Sequence, residues 1–107
     1  MSEDGLHRTE RLDAILTALA HPVRRRLLEL LEFGAATAGD LSASAADSFG
    51  ISPARASQHL RVLAHAGLVD VMPDGTHRWY SLADGAADDI ADWLARLRLS
   101  RARGAGR

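Results

Sequence analysis

Proline and glycine punctuate this chain so closely that only short elements fit between them. Pro22, Gly34, Gly50, Pro53, Gly67 and Gly75 divide its middle into segments of a few helical turns or less. Residues 9–20 carry Leu12, Ile15, Leu16 and Leu19 at helical spacing, which predicts a first helix. Pro22 suits the first turn of a second, where its missing N–H would be unpaired anyway. That helix places Val23, Leu27, Leu30 and Leu31 on one stripe, runs to about Phe33 and ends at Gly34. Arg24, Arg25 and Arg26 fall in its opening turns, where the helix dipole disfavours positive charge. A partner for some of them, a protein carboxylate or a DNA phosphate, is therefore expected.

Thr37 followed by Asp40 reads as a capping-box variant and opens a third helix with Leu41, Ala45 or Ala46, and Phe49. Gly50 breaks it. Ser52 then offers a hydroxyl N-cap and Pro53 a first helical residue, so a fourth helix starts at once. It runs through Ala56, Leu60 and Leu63 to Gly67, a good residue for a helix C-terminus. Two helices joined by a tight glycine turn make a helix-turn-helix. Residues 68–72 and 77–82 are β-rich and flank Pro73-Asp74-Gly75-Thr76, which predicts a hairpin. Alternation puts Tyr80 and Leu82 on one face, with His77, Trp79 and Ser81 on the other. Asp84 can cap a last helix over about residues 85–99, with Ile90, Trp93, Leu94 and Leu97 along one side. The expected organisation is a flexible N-terminus (residues 1–8), one domain (9–99) and a disordered basic tail (100–107). Its fold class is mainly α with a small β-hairpin, in the order α-α-α-α-β-β-α of a winged helix-turn-helix.

Composition narrows the functions. At 107 residues the chain supports one core. It has no cysteine, which excludes disulfides, thiolate metal sites and cysteine nucleophiles. It also lacks a glycine-rich phosphate loop and any paired-histidine spacing, so neither an enzyme nor a cofactor is expected. No apolar run approaches the ~20 residues of a membrane span. The N-terminus is acidic rather than signal-like, so a cytoplasmic protein with no membrane partner is expected. The net charge of −1 is low for a nucleic-acid binder, but it is unevenly spread. Residues 1–51 sum to −3, whereas residues 52–80 and 81–107 are each +1. All thirteen basic side chains are arginine.

The run Ala18-Leu19-Ala20-His21-Pro22-Val23-Arg24-Arg25-Arg26-Leu27-Leu28 is followed by Ile51-Ser52, Ser57-Gln58-His59-Leu60-Arg61-Val62-Leu63 and Ala66-Gly67-Leu68-Val69. With Asp74-Gly75 and Trp79-Tyr80-Ser81-Leu82, these residues closely resemble the ArsR/SmtB family of bacterial repressors, over roughly residues 9–99. The resemblance implies a homodimeric, operator-binding transcription factor, in most members a repressor released from DNA by an effector. Two departures stand out. Leu41 and Phe49 are eight residues apart where the family has about four, so residues 42–46 add about one helical turn. The other is the metal site. The stretch 35–41, which matches the family's Cys-x-Cys, has no thiol, and the last helix offers Asp84, Asp88, Asp89 and Asp92 without a histidine. The five histidines, His7, His21, His59, His65 and His77, are scattered over different elements. An all-aspartate helix is a poor zinc site, so no metal is expected.

With Ala56, Leu60 and Leu63 turned inward, a 100° step places Ala54, Gln58, Arg61 and His65 opposite them, flanked by Arg55 and Ser57. Gln58 can pair with an adenine edge, and Arg61 can reach guanine or phosphate. Ser57 can reach a base or a phosphate, and the family's matching positions imply contacts from Pro53 to Gln58, which makes Gln58 and Ser57 the expected base readers. The expected DNA-binding set is Ser52, Pro53, Ala54, Arg55, Ser57, Gln58 and Arg61, with His77 and Arg78 from the hairpin. His59 lies beside the core stripe and reads as a packed, hydrogen-bonded histidine. Leu12, Ile15, Leu16, Leu19, Ile90, Trp93, Leu94 and Leu97 exceed what one small domain covers, and the family implies a dimer interface there. The partners expected are thus double-stranded operator DNA and a second copy, with a protein or small-molecule effector of unknown identity. The competing reading is a winged-helix protein-interaction module that never binds DNA, as the net charge would suit.

Overall fold

The computed structural model describes residues 3–105. Along the chain lie α1 (Glu3–Leu19), α2 (Pro22–Leu30) extended by a 3-10 turn (Leu31–Phe33), β1 (Ala36–Thr37), α3 (Ala38–Phe49), α4 (Pro53–His65), β2 (Val69–Asp74), β3 (His77–Leu82) and α5 (Ala86–Ala105). This is the expected order, with one addition. The two residues of β1 pair with β3, Ala36 opposite Tyr80 and Thr37 opposite Trp79, so the hairpin becomes a three-stranded antiparallel sheet ordered β1-β3-β2. β2 and β3 pair from Val69 opposite Leu82 to Asp74 opposite His77, which leaves a two-residue loop, Gly75-Thr76. Gly75 takes a φ of +60°, as a tight hairpin loop demands at its first position. Pro73 therefore belongs to a strand rather than to the turn, which an edge strand tolerates.

Leu27, Leu60 and Leu63 are the largest side chains with essentially no exposure. Ile15, Ala18, Val23, Leu31, Leu41, Ala45, Ala56, Leu68, Val69 and Tyr80 complete the core around them. One leucine from α2 and two from α4 at its centre explain why the helix-turn-helix is held rigidly: its second helix is packed from behind by the first half of the chain. α3 is unbroken across residues 42–46, and its buried residues Leu41, Ser42 and Ala45 share one face, so the additional turn is absorbed in phase.

Three expectations need correction. The first helix starts at Glu3 rather than Thr9, since the chain offers it no proline before Pro22 and His7 and Glu10 pair one turn apart (3.9 Å). The last helix continues to Ala105, past the expected end at Leu99, so residues 100–105 of the supposed tail are helical. Met1, Ser2, Gly106 and Arg107 lie outside the described residues. Asp84 does not cap α5: the helix begins two residues later, and the Gly85 carbonyl accepts from the Asp88 N–H at 3.1 Å. No helix among the described residues is long and apolar enough to cross a membrane.

Candidate nucleic-acid interface

The geometry of α4 follows from its two ends. Gly50, at a φ of +65°, turns the chain out of α3 and donates its N–H to the Ala46 carbonyl at 2.9 Å. The Ser52 hydroxyl accepts from the Arg55 N–H at 3.1 Å, and Pro53 is the first helical residue. At the far end the Leu68 N–H reaches the Leu63 carbonyl and the Gly67 N–H reaches that of Ala64, both at 3.0 Å. With Gly67 at a φ of +76°, this is a Schellman closure, and its apolar contact is between buried Leu63 and Leu68. So fixed, α4 buries Ala56, Leu60 and Leu63 and exposes Ala54, Arg55, Gln58, Arg61 and His65, the division the sequence predicts.

Ser57 departs from expectation. It is half-buried, with its hydroxyl 3.4 Å from that of buried Ser42, so it lies in the seam between α3 and α4. Ser52, although exposed, has its hydroxyl engaged in the cap. Gln58 and Arg61 are left as the long polar groups of the outer face, with Arg55 at its N-terminal flank.

His77 and Arg78 open β3 and are exposed. They border a cleft of about 450 Å³ whose other wall is Thr37, Ala38, Gly39 and Asp40, at the N-terminus of α3. A second depression, about 290 Å³, lies between α3 and α4 and is lined by Ala38, Gly39, Ser42, Ala43, Pro53 and Ser57. Both include Ala38 and Gly39. The wing, the first turn of α3 and the first turn of α4 therefore form one continuous surface, lined along α3 mainly by small side chains. Thr37 caps α3 by accepting from the Asp40 N–H at 3.1 Å, and the positive end of that helix faces the same surface.

Behind α4 lies a cluster of which the sequence predicts the need for partners to Arg24, Arg25 and Arg26 and the packing of His59, but not their contact. Arg24 donates through Nε to the Ala18 carbonyl (2.7 Å), through one terminal nitrogen to the Thr17 carbonyl (3.2 Å), and through the other to His59 Nδ1 (3.2 Å). Arg25 donates to the Leu19 carbonyl at 2.7 Å. Among the described residues, Arg26 is the one of the three that finds a carboxylate, Glu29 at 3.3 Å. Two of the three arginines are thus satisfied by carbonyls at the negative end of α1, which offsets their unfavourable place at the start of α2. The signal was present in three consecutive arginines at a helix start, but the acceptors are backbone atoms that no side-chain pattern announces.

His59 is packed as expected, at 8% exposure, and its Nε2 is buried without a partner among the described residues. His21 caps α2, its Nδ1 accepting from the Val23 N–H at 3.2 Å, and its ring centre is 4.3 Å from that of His59. Burial lowers the pKa of both imidazoles from the ordinary 6.5, and nearby positive charge adds to this. For His21 the charge comes from Arg24, Arg55 and Arg25. For His59 it comes from His21, Arg24 and Arg55. The described residues include no group of three or more histidine or acidic side chains placed to hold a metal.

The residues expected at a dimer interface separate into two sets. Ile15 is in this chain's own core, at 2% exposure. Leu19 and Ile90 are partly buried against that core. Leu16, Leu94 and Leu97 are exposed, while Leu12 and Trp93 are intermediate. Arg11 on α1 approaches Asp89 on α5 at 3.9 Å, so the two helices that carry these side chains adjoin.

Residues 19–71 match a family described as a helix-turn-helix domain. The chain is 32% identical over 83 residues to the transcriptional repressor SdpR of Bacillus subtilis, a match spanning 78% of this chain and 88% of that protein. It is 42% identical over 85 residues to an uncharacterized HTH-type transcriptional regulator of Mycobacterium tuberculosis, over 79% of this chain and 69% of the relative. Among solved structures it resembles the crystal structure of an ArsR family transcriptional regulator, with a TM-score of 0.75 and 28% identity, covering 84% of this chain and 89% of the other.

Proposed function

Because the chain belongs to the ArsR-type family of winged helix-turn-helix transcriptional regulators, we propose that it is a sequence-specific DNA-binding repressor acting as a homodimer on an inverted-repeat operator. The observation that carries this reading is the outer face of α4. Gln58 and Arg61 are exposed on a helix whose other face is core, and the first turn of that helix borders the surface that leads to the wing arginine, Arg78. Gln58 reads an adenine edge bidentately, and Arg61 reaches guanine or phosphate. Arg55 and Arg78, with His77, neutralise backbone phosphates on either side and set the register of the helix in the groove. Repression is the sense of regulation named for the Bacillus relative.

The homodimer rests on Leu16, Leu94 and Leu97, which one chain leaves in water. A second copy covering them brings two recognition helices to successive major grooves, about 34 Å apart. Two copies also add the affinity that a module of net charge −1 lacks. The direct test is selection of duplexes from a random library by the purified protein. An inverted repeat is the expected product, and enrichment of no sequence would refute the reading.

A further inference from the structure

We infer that Arg24 is a positioning residue for the recognition helix: its guanidinium fastens His59, the neighbour of Gln58, to the carboxyl-terminal end of α1. The inference rests on the DNA-reading role of Gln58. A guanidinium has donors and no acceptor, so His59 Nδ1 must offer its lone pair and the ring proton must sit on Nε2. Nε2 is buried without a partner among the described residues, so the hydrogen bond from Arg24 is the polar contact seen to orient this imidazole, with the His21 ring packed beside it. The other two contacts of Arg24 go to Thr17 and Ala18, in the last turn of α1. One rigid planar group thus ties the helix that carries Leu12 and Leu16 to the centre of α4. Any rotation of α4 that moves Gln58 moves His59 by a similar amount and strains this link.

The link also depends on protonation. An imidazolium has N–H donors at both nitrogens, so charging His59 would set a donor against a donor at 3.2 Å. The charged groups facing it add to that opposition. His21 is the N-cap of α2, Arg24 lies in α2 and Arg55 in α4, while α1 contributes the Thr17 and Ala18 carbonyls to Arg24 rather than a carboxylate to the ring. The bracket is therefore formed when His59 is neutral and released when it is charged.

The test uses Arg24→Lys, which keeps the charge and loses the fork, and His59→Gln, which keeps an acceptor that does not titrate. Each full-length variant is measured against the duplex selected by the wild type and against a random-sequence duplex, at about pH 7.5 and about pH 5.5. The ratio of the two affinities is the readout, since falling pH adds charge to any exposed histidine and tightens all DNA binding. Arg24→Lys is expected to lower this ratio about tenfold at the higher pH while leaving random-duplex affinity and its salt dependence unchanged. The wild-type ratio should fall at the lower pH, whereas His59→Gln should hold, at both, a ratio within about threefold of the wild-type value at the higher pH. Amide hydrogen exchange without DNA should show protection along α4 reduced in Arg24→Lys.

An unchanged ratio and unchanged α4 protection in Arg24→Lys would overturn the inference. So would an equal loss on both duplexes, which would make Arg24 a phosphate contact. If the wild type itself does not distinguish the duplexes, the DNA reading fails. The exchange measurement then still decides whether Arg24 orders α4.

Discussion

Gln58 and His59 are adjacent in the chain and about 100° apart around α4, one exposed to solvent and the other buried. Their roles separate accordingly. Replacing Gln58 with alanine is expected to weaken binding to the selected operator by about 1–3 kcal/mol while leaving affinity for random duplex nearly unchanged. Fluorescence anisotropy on the two duplexes checks this, and a uniform loss on both would mean that Gln58 does not read bases. His59 and His21 govern pH dependence instead. Both have folded-state pKa values lowered from 6.5, so the folded protein binds fewer protons than the unfolded chain just below that pH. Their stabilising contribution is present above 6.5 and is lost as pH falls through the lowered values. Urea midpoints are therefore expected to drop between about pH 7.5 and about pH 5.5, with a shallower drop in His59→Gln. A flat profile would contradict the assignment. At this scale the outer face of α4 was readable from 3.6-residue periodicity alone. The Ser57 hydroxyl was not, because its neighbour Ser42 is 15 residues away in sequence and met only through helix packing.

The helices and their junctions show a similar division. Ser52, Pro53, Thr37, Gly50 and Gly67 announce their elements because capping and left-handed backbone are local requirements, and the structure has each in its expected role. β1 was not legible: a two-residue strand exists only through its pairing with Tyr80 and Trp79. The helix limits at Glu3 and Ala105 were missed because both lie beyond the apolar stripes, Leu12 to Leu19 and Ile90 to Leu97, from which the two helices are read. Gly50 offers a clean test of the junction. A Cβ there would meet nothing within 4 Å, so the cost of Gly50→Ala is that of the left-handed backbone alone. That predicts a loss of about 1–2 kcal/mol in equilibrium unfolding, with an unchanged far-ultraviolet spectrum. A neutral substitution would show that the turn relaxes to another conformation.

At the scale of the whole molecule, the exposed apolar side chains of the terminal helices support the proposed second copy. The radius of gyration is 16.6 Å, with extents of 57 × 29 × 22 Å. A compact chain of this length would have a radius of about 13 Å. The excess reflects the long terminal helices, which carry exposed apolar side chains: Leu94 is 53% exposed and Leu97 51%. Leu94→Glu should therefore sediment as a folded monomer, and a persistent dimer would place the interface elsewhere. The sequence showed these leucines as surplus to one core. It could not show that Ile15 belongs inside, because periodicity marks an apolar face without saying what covers it.

The central claim is that two copies of this chain read one inverted repeat through Gln58 and Arg61. Footprinting of the selected duplex while salt is raised, with stoichiometry from sedimentation of the complex, tests it most directly. The account predicts two protected half-sites about one helical turn apart, two chains per duplex, and affinity that falls steeply with salt. Failure to protect any site at low salt would contradict it and leave the protein-interaction reading in its place.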